Sequence, residues 1–305
     1  MILVTGGAGF IGSKLAQKLL DNGEEVAIID NLSTGYLSNI PQGAVFIQGD
    51  VFDTAVYGKL SDLPITGIFH IAGQASGELS FEDPAYDLKT NTLSTLLILQ
   101  FAKMKGISRL VYTSSMSVYG DKDEAATEVS ATNPKSFYAV GKLASEQYLK
   151  IYSQFGIKST SLRLFNVYGP GQNMENLKQG MVSIFLAQAL ANKKIQVKGS
   201  GDRFRDFIFI DDVIEALLLS YYKTGQDYAC YNICTGRKTT INTLLEIIQS
   251  ELPFAISVYF EGSTPGDQHG LFGNNSLFAS GFGFVPKVSL EEGIKQTIKK
   301  LLIKQ

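Results

Sequence analysis

The sequence predicts an α/β fold, a doubly wound parallel sheet joined to a smaller mixed α/β lobe. Three observations predict it. A short apolar run passes through a glycine-rich turn into a helical pattern and then a second strand that ends in a carboxylate. Strand and helix patterns alternate from there to Leu164, and from Phe165 onward the alternation loosens. At 305 residues, 45% hydrophobic and 18% charged, the chain is long enough for a large core and two lobes. Its net charge of -2 offers no general attraction to nucleic acid or to an anionic membrane, so any anionic ligand must be held by particular residues.

The first strand, residues 2–5, leads into Gly6-Gly7-Ala8-Gly9-Phe10-Ile11-Gly12, and Ile11, Leu15, Leu19 and Leu20 share one face of the helix that follows. Glycines at 6, 9 and 12 permit a tight turn and close backbone approach. The N–H groups at the helix start, around Phe10 and Ile11, suit a pyrophosphate. The second strand, 25–29, ends at Asp30, whose carboxylate can accept from ribose hydroxyls and would repel a 2′-phosphate, favouring NAD over NADP. A third strand, 44–48, reaches Gly49-Asp50-Val51; Asp50 either meets the adenine edge or belongs to a helix cap together with Asp53.

The fourth strand ends in Ala72-Gly73, a small-residue turn that lets a cofactor pass close to the backbone. His70 lies inside this strand and reads as a packed, hydrogen-bonded histidine. Residues 91–105 form a helix with Leu93, Leu96, Leu97 and Phe101 on its apolar face. The fifth strand, 109–113, runs from Arg109 to Thr113 and ends in hydroxyls, Ser114 and Ser115, with Ser117 two further on. Tyr138 and Lys142, four apart on the helix 138–155, share one face, so the ammonium can favour ionisation of the phenol.

Beyond the strand 158–164, the expectations are a turn-rich exit at 166–172, a helix at 181–191, and a strand at 205–210. Asp211-Asp212 should cap a helix at 213–222, with later helices at 240–252 and 290–303 and a strand at 256–260. Cys230 and Cys234 fall in one strand-like run about 13 Å apart, too far to bridge, and read as buried thiols. With His70 and His269 far apart, they form no metal set. Met1 opens straight into a strand without a basic leader, and no apolar run is long enough to span a bilayer, so cytoplasmic location is the expectation.

Taken together, Thr5 to Gly12, Asp30 to Gly35, Thr113 to Gly120, Tyr138 to Lys142, Arg163 to Gln172 and Arg205-Asp206-Phe207 resemble, in order, the extended short-chain dehydrogenase/reductases of the nucleotide-sugar epimerase branch. The resemblance runs on to Val288-Ser289-Leu290-Glu291-Glu292-Gly293. It implies an NAD-binding Rossmann lobe at 1–165, with a later return of the chain near 205–235. Residues 166–305 would then mainly hold a nucleoside diphosphate sugar. NAD would stay bound, with Asn31, Ser33, Thr34, Gly35, Gln74, Asn91, Thr113 and Phe165 joining the residues already named around it.

By the same resemblance, Tyr138 is the base for the sugar 4-hydroxyl, Lys142 depresses its pKa and holds the nicotinamide ribose, and Ser115 binds the reacting oxygen. Ser117, Asn166, Val182, Lys198, Arg205 and Asp267 would contact the substrate. Where dehydratases and decarboxylases of the family carry an acidic residue two before Tyr119, this chain has Ser117, beside Met116, which favours epimerisation. Lys198 replaces a common aromatic, and Thr264 a common arginine. Leu271 is expected near the sugar's C2 substituent, leaving UDP-glucose, UDP-N-acetylglucosamine and a UDP-uronic acid open. A four-helix homodimer seam from 91–105 and 138–155 is implied as well. The rival readings are a 4-keto-sugar reductase or dehydrogenase on the same fold and a non-catalytic dinucleotide sensor.

Overall fold

A computed structural model describes residues 1–223, 225–263 and 269–303. The first half alternates β1 (Ile2–Thr5), α1 (Phe10–Asp21), β2 (Val26–Asp30), β3 (Val45–Gln48), α2 (Thr54–Gly58), β4 (Gly67–His70), α3 (Gly77–Glu82), α4 (Pro84–Leu88), α5 (Ser94–Lys105), β5 (Arg109–Ser115), α6 (Phe137–Tyr152) and β6 (Lys158–Leu164). Then come β7 (Asn166–Tyr168), α7 (Met181–Asn192), β8 (Lys194–Val197), β9 (Phe204–Arg205), β10 (Phe207–Phe209), α8 (Ile210–Lys223) and β11 (Tyr228–Ile233). The chain closes with β12 (Thr239–Thr240), α9 (Ile241–Glu251), β13 (Ser257–Phe260), α10 (Ser276–Phe282) and α11 (Leu290–Ile303).

Seven parallel strands form the central sheet in the order β11-β6-β5-β4-β1-β2-β3. The order reverses at β1/β4, and the crevice at the carboxyl ends of these strands is where open α/β sheets bind ligands. Both faces of the sheet are covered, which is why the strands read as continuous apolar runs. Ile2 and Val4 point into a core with Leu15 and Leu19 of α1 and Val213 and Leu217 of α8. Leu3, between them, points the other way, into a core with Ile98 and Leu99 of α5 and Leu149 of α6. Among the described residues, three two-stranded sheets, β7/β10, β9/β12 and β8/β13, lie in the second half.

Several local expectations are corrected. The strand expected at 205–210 breaks at Asp206, whose fully buried carboxylate accepts from the backbone N–H groups of Thr235, Gly236 and Gly273. A continuous ladder would leave that carboxylate unsatisfied. Helix α8 begins at Ile210, so Asp211 and Asp212 lie in its first turn instead of capping it; Asp212 accepts from the N–H groups of Lys287 and Val288. The helix expected at 91–105 is continuous with α4 through a π-helical turn, Lys89–Leu93. The exit after β6 forms a strand, β7, parallel to β10. Cys230 is half-buried in β11, while Cys234 is buried just past its end; both thiols are free. No described helix is long and apolar enough to cross a membrane, and no described cluster of His, Cys, Asp or Glu could hold a metal.

Candidate active site

The glycine-rich turn is built by close approach. Gly6 adopts a φ of +70°, and a Cβ on Gly12 would sit 2.1 Å from the Gly6 carbonyl oxygen. Only a bare backbone lets α1 start this near the loop. Gly9 is the N-cap of α1 and no described side chain caps it, so the N–H groups of the first turn, at Phe10 and Ile11, are presented at the helix's positive end. Asp30 sits beside them, 8% exposed, its carboxylate held by the N–H groups of Ala8 (2.9 Å) and Leu32 (2.8 Å).

The turn after β2 is fixed by its own side chains: the Asn31 carbonyl oxygen accepts from the Ser33 N–H, and its amide donates to Asp50 at 3.1 Å. Asp50 therefore braces Asn31, while the cap of α2 is made by Asp53 alone. Thr34 borders a small pocket with Gly9 and Phe10, and Gly35 packs against the Ala8 backbone. Val51 turns its side chain into the core beside Val56. A dinucleotide fits this cradle, since glycine backbone, free helix-start N–H groups and one fixed carboxylate converge on the sheet's switch point.

From there a cleft of about 470 Å³ opens between the sheet ends and the second half of the chain. Phe10, Ile11, Gly73, Thr113, Ser115 and Ser117 line one side, with Tyr138 and Lys142. Phe165, Asn166, Val182, Lys198 and Arg205 line the other. Ala72 fixes the turn before Gly73 by donating its N–H to Thr5 Oγ1, and Thr5 also meets the buried His70 at 2.8 Å. His70 Nε2 lies 3.2 Å from Thr95 Oγ1, and burial holds the imidazole neutral, its pKa lowered to about 3. Gln74 and Asn91 sit behind Gly73, joined by the Asn91 amide donating to the Gln74 carbonyl. Asp267 and Thr264 lie outside the described residues.

Helix α6 starts at the Ser136 cap, whose hydroxyl accepts from the Ala139 N–H, and places Tyr138 half-buried on the cleft wall. Lys142, 4% exposed, donates to the Thr113 carbonyl at 2.9 Å, and its ammonium lies 5.8 Å from the Tyr138 ring centroid. The expected depression of the Tyr138 pKa is not what the protein alone produces. Burial pushes the phenol up to about 12, against a lowering hydrogen bond from Ser115 and with a further push from the Asp87 carboxylate. Burial also lowers Lys142 to about 8, opposed by Asp87 and Glu146. Ser115 accepts from the Ser117 hydroxyl at 2.8 Å and from its N–H at 3.2 Å.

The helix carrying Tyr138 and Lys142 is locked to the sheet from below. Glu146, one turn beyond Lys142, is 1% exposed and receives Arg163 through Nε (2.9 Å) and Nη2 (2.7 Å), and Ser114 Oγ at 2.5 Å. Arg163 also donates to the Tyr119 hydroxyl at 2.9 Å. The pair thus ties α6, β5 and β6 together beneath Ser115.

Across the cleft, Arg205 is buried and donates to the carbonyls of Phe204 and His269; burial and the neighbouring Arg203 lower its pKa to about 10. Lys198 pairs with Glu78 of α3 at 3.2 Å, and Lys178 with Glu82 at 2.6 Å, so α3 is held by ammonium groups from the opposite wall. The segment 171–179 adds two further ties, Tyr36 hydroxyl to Glu175 at 2.8 Å and Asn173 to the Thr34 carbonyl. Glu78, Lys135 and Lys178 line the cleft without having been singled out from sequence, because they come from loops and a short helix that carry no motif. Leu271 does not line it: the residue is fully buried behind Phe165 with Val118 and Tyr119.

Residues 2–234 match the NAD dependent epimerase/dehydratase family. The chain is similar to a putative UDP-glucose 4-epimerase of Methanocaldococcus jannaschii, 34% identical over 98% of this chain and 97% of that protein. Among solved structures it is similar to the UDP-glucose 4-epimerase of Thermotoga maritima with UDP-glucose (33% identity, TM-score 0.95, 99% of each chain). It is also similar to that of Thermus thermophilus in complex with NAD (35% identity, TM-score 0.92, 99% of this chain and 98% of that one). The cradle, the switch-point cleft and the whole-length match agree: this chain belongs to the NAD dependent epimerase/dehydratase family.

Proposed function

We propose that the protein is a nucleotide-sugar 4-epimerase acting on a UDP-sugar of the glucose/galactose or N-acetylglucosamine/N-acetylgalactosamine type. The observation that carries this reading is the meeting of Ser115, Tyr138 and Lys142 on one cleft wall, with Met116 and Ser117 in place of a second acid. When bound, NAD supplies the acceptor and donor of the C4 hydride and a positive ring near the phenol. Tyr138 takes the proton of the sugar 4-hydroxyl and returns it after the sugar has turned over. Ser115 binds the reacting oxygen, and Lys142, its ammonium held at the Thr113 carbonyl, would hold the nicotinamide ribose. Burial holds the Tyr138 phenol up in the protein alone, so the positive ring of bound NAD would favour its ionisation.

Asp30 supports NAD over NADP. Arg205, with Arg203 and Lys198 nearby, supports an anchor for the diphosphate, about which the sugar rotates. We assign residues 1–165, with the return near 205–235, to the cofactor and 166–305 mainly to the nucleotide sugar. Exposed Met104, Phe137, Val140 and Ile151 on α5 and α6 support a homodimer seam there, which light scattering tests. The free thiols fit the reducing cytoplasm.

Incubation with UDP-glucose, without added cofactor, should yield the galactose isomer. Absence of conversion for the glucose, N-acetyl and uronic forms alike sinks the epimerase reading, and net NADH turnover points to a reductase instead. Tyr138→Phe should keep the fold and bound NAD while losing turnover by about three orders of magnitude.

A further inference from the structure

Asp87 is a buried carboxylate beside the acid/base pair that no step above uses. It lies in α4, 1% exposed, and its Oδ1 accepts from Gln74 Nε2 at 2.9 Å and from Asn91 Nδ2 at 3.0 Å. Its Oδ2 faces α6 at Gly141, where a Cβ would stand 3.7 Å away, and Lys142 follows immediately. Asn91 is held by this acceptor and by the Gln74 carbonyl at 2.9 Å, so both N–H groups of its amide are committed. Its Oδ1 is buried and has no hydrogen-bond partner among the described residues. That oxygen and Lys142 Nζ face the same point above Gly73, 2.5 and 3.3 Å from where a Cβ would sit. Flipping the amide would set oxygen against carboxylate, so the Asn91 orientation depends on Asp87.

The groups around this carboxylate are few. From α6, Lys142 and Tyr138 face it; from the loop after β4, Gln74; from its own helical run, Asn91. Lys142 also meets Glu146 along α6 and Tyr112 and His70 from the sheet. Helix α3, packed on α4, has its carboxylates Glu78 and Glu82 paired with Lys198 and Lys178. Burial raises the Asp87 carboxyl to about 6, and the amides of Gln74 and Asn91, then Lys142, oppose that rise, so near neutral pH it is largely ionised.

We propose that Asp87 is a positioning residue of the acid/base pair: through Asn91 it aims an acceptor toward Lys142, and its negative charge sets the balance between Lys142 ammonium and Tyr138 phenol. The inference rests on the epimerase reading for its kinetic consequence alone. A carboxylate at this place favours the charged lysine and disfavours the charged tyrosine. Removing its charge lowers both pKa values, and activity needs ionised Tyr138 with protonated Lys142. Both limbs of the pH–rate profile then move to lower pH.

The test is Asp87→Asn, which conserves shape. The kcat profile should shift downward by about one pH unit on each limb, with KM little changed, because Asp87 lies behind the cleft wall. Independently of turnover, the ¹³Cζ resonance of Tyr138, assigned with Tyr138→Phe, should titrate about one unit lower in the variant. Reduced activity with unmoved limbs and an unmoved Tyr138 midpoint overturns the proposal in favour of a packing role. If the wild type converts no nucleotide sugar, the epimerase reading fails, and the tyrosine titration still decides the role of Asp87. Should Asp87→Asn not fold, Asp87→Ser removes the same charge with a smaller side chain, and the same downward shift is expected. No shift there likewise overturns it.

Discussion

Arg163→Met should unfold the protein far more readily than the pair change Arg163→Met/Glu146→Met. Arg163 is 6% exposed and Glu146 1%, and they are joined by two hydrogen bonds of 2.9 and 2.7 Å. Losing the guanidinium leaves Glu146 with the Ser114 hydroxyl as its remaining hydrogen-bond donor of these, and also strips Tyr119 of a 2.9 Å bond. Breaking one partner of such a buried pair costs about 3–5 kcal/mol, whereas replacing both with apolar groups costs little or can stabilise. The double variant should therefore recover at least about 2 kcal/mol of the loss. Urea unfolding followed by far-UV circular dichroism measures this, with NAD fixed at one saturating concentration because bound ligand adds to apparent stability. Equal loss in the single and double variants, or a single loss under about 1 kcal/mol, would refute the view that this pair is a buried anchor of α6.

Other outcomes follow from the same geometry. Gly12→Ala places a methyl 2.1 Å from the Gly6 carbonyl, so the loop must shift; NAD retention after gel filtration should fall steeply while the fold survives. Asp30→Asn removes a charge held at the helix start and should raise NADP affinity relative to NAD by about 10- to 100-fold in a competition assay. An unchanged ratio would contradict the ribose role of Asp30. Asp87 has its folded pKa raised to about 6, above the ordinary carboxyl value, so its burial destabilises the fold above pH 6 and that penalty is relieved as the pH falls toward 4. Asp87→Asn should accordingly be more stable than the wild type by about 2–3 kcal/mol at pH 8, the difference vanishing near pH 4; a difference independent of pH speaks against a buried charge.

The cofactor half of the molecule was legible because its signals are local. Glycine spacing, the carboxylate at Asp30 and the period of Leu15 and Leu19 each follow from a few adjacent residues. Tyr138 and Lys142 were readable for the same reason, being one helical turn apart. What escaped depends on contacts distant in sequence. Asp206 breaks an apparent strand because Thr235 and Gly273 reach its carboxylate, and Leu271 is buried behind Phe165 although the family resemblance implied a residue near the sugar. The burial that holds the Tyr138 phenol up in the protein alone was likewise not legible, because a helical wheel shows its neighbour Lys142 but not the walls around it. Helix α3 is too short for periodicity to reveal, and its ion pairs with Lys178 and Lys198 join segments about a hundred residues apart.

Strand β6 passes into β7 through one residue, Phe165, 2% exposed and packed with Cys234 and Leu271. This short, buried link leaves no slack segment there between the two halves. Under the proposed reaction, the two epimers therefore meet the same walls in a chamber of nearly constant size. Both C4 configurations must then be reached by the sugar turning within the cleft rather than by the halves opening.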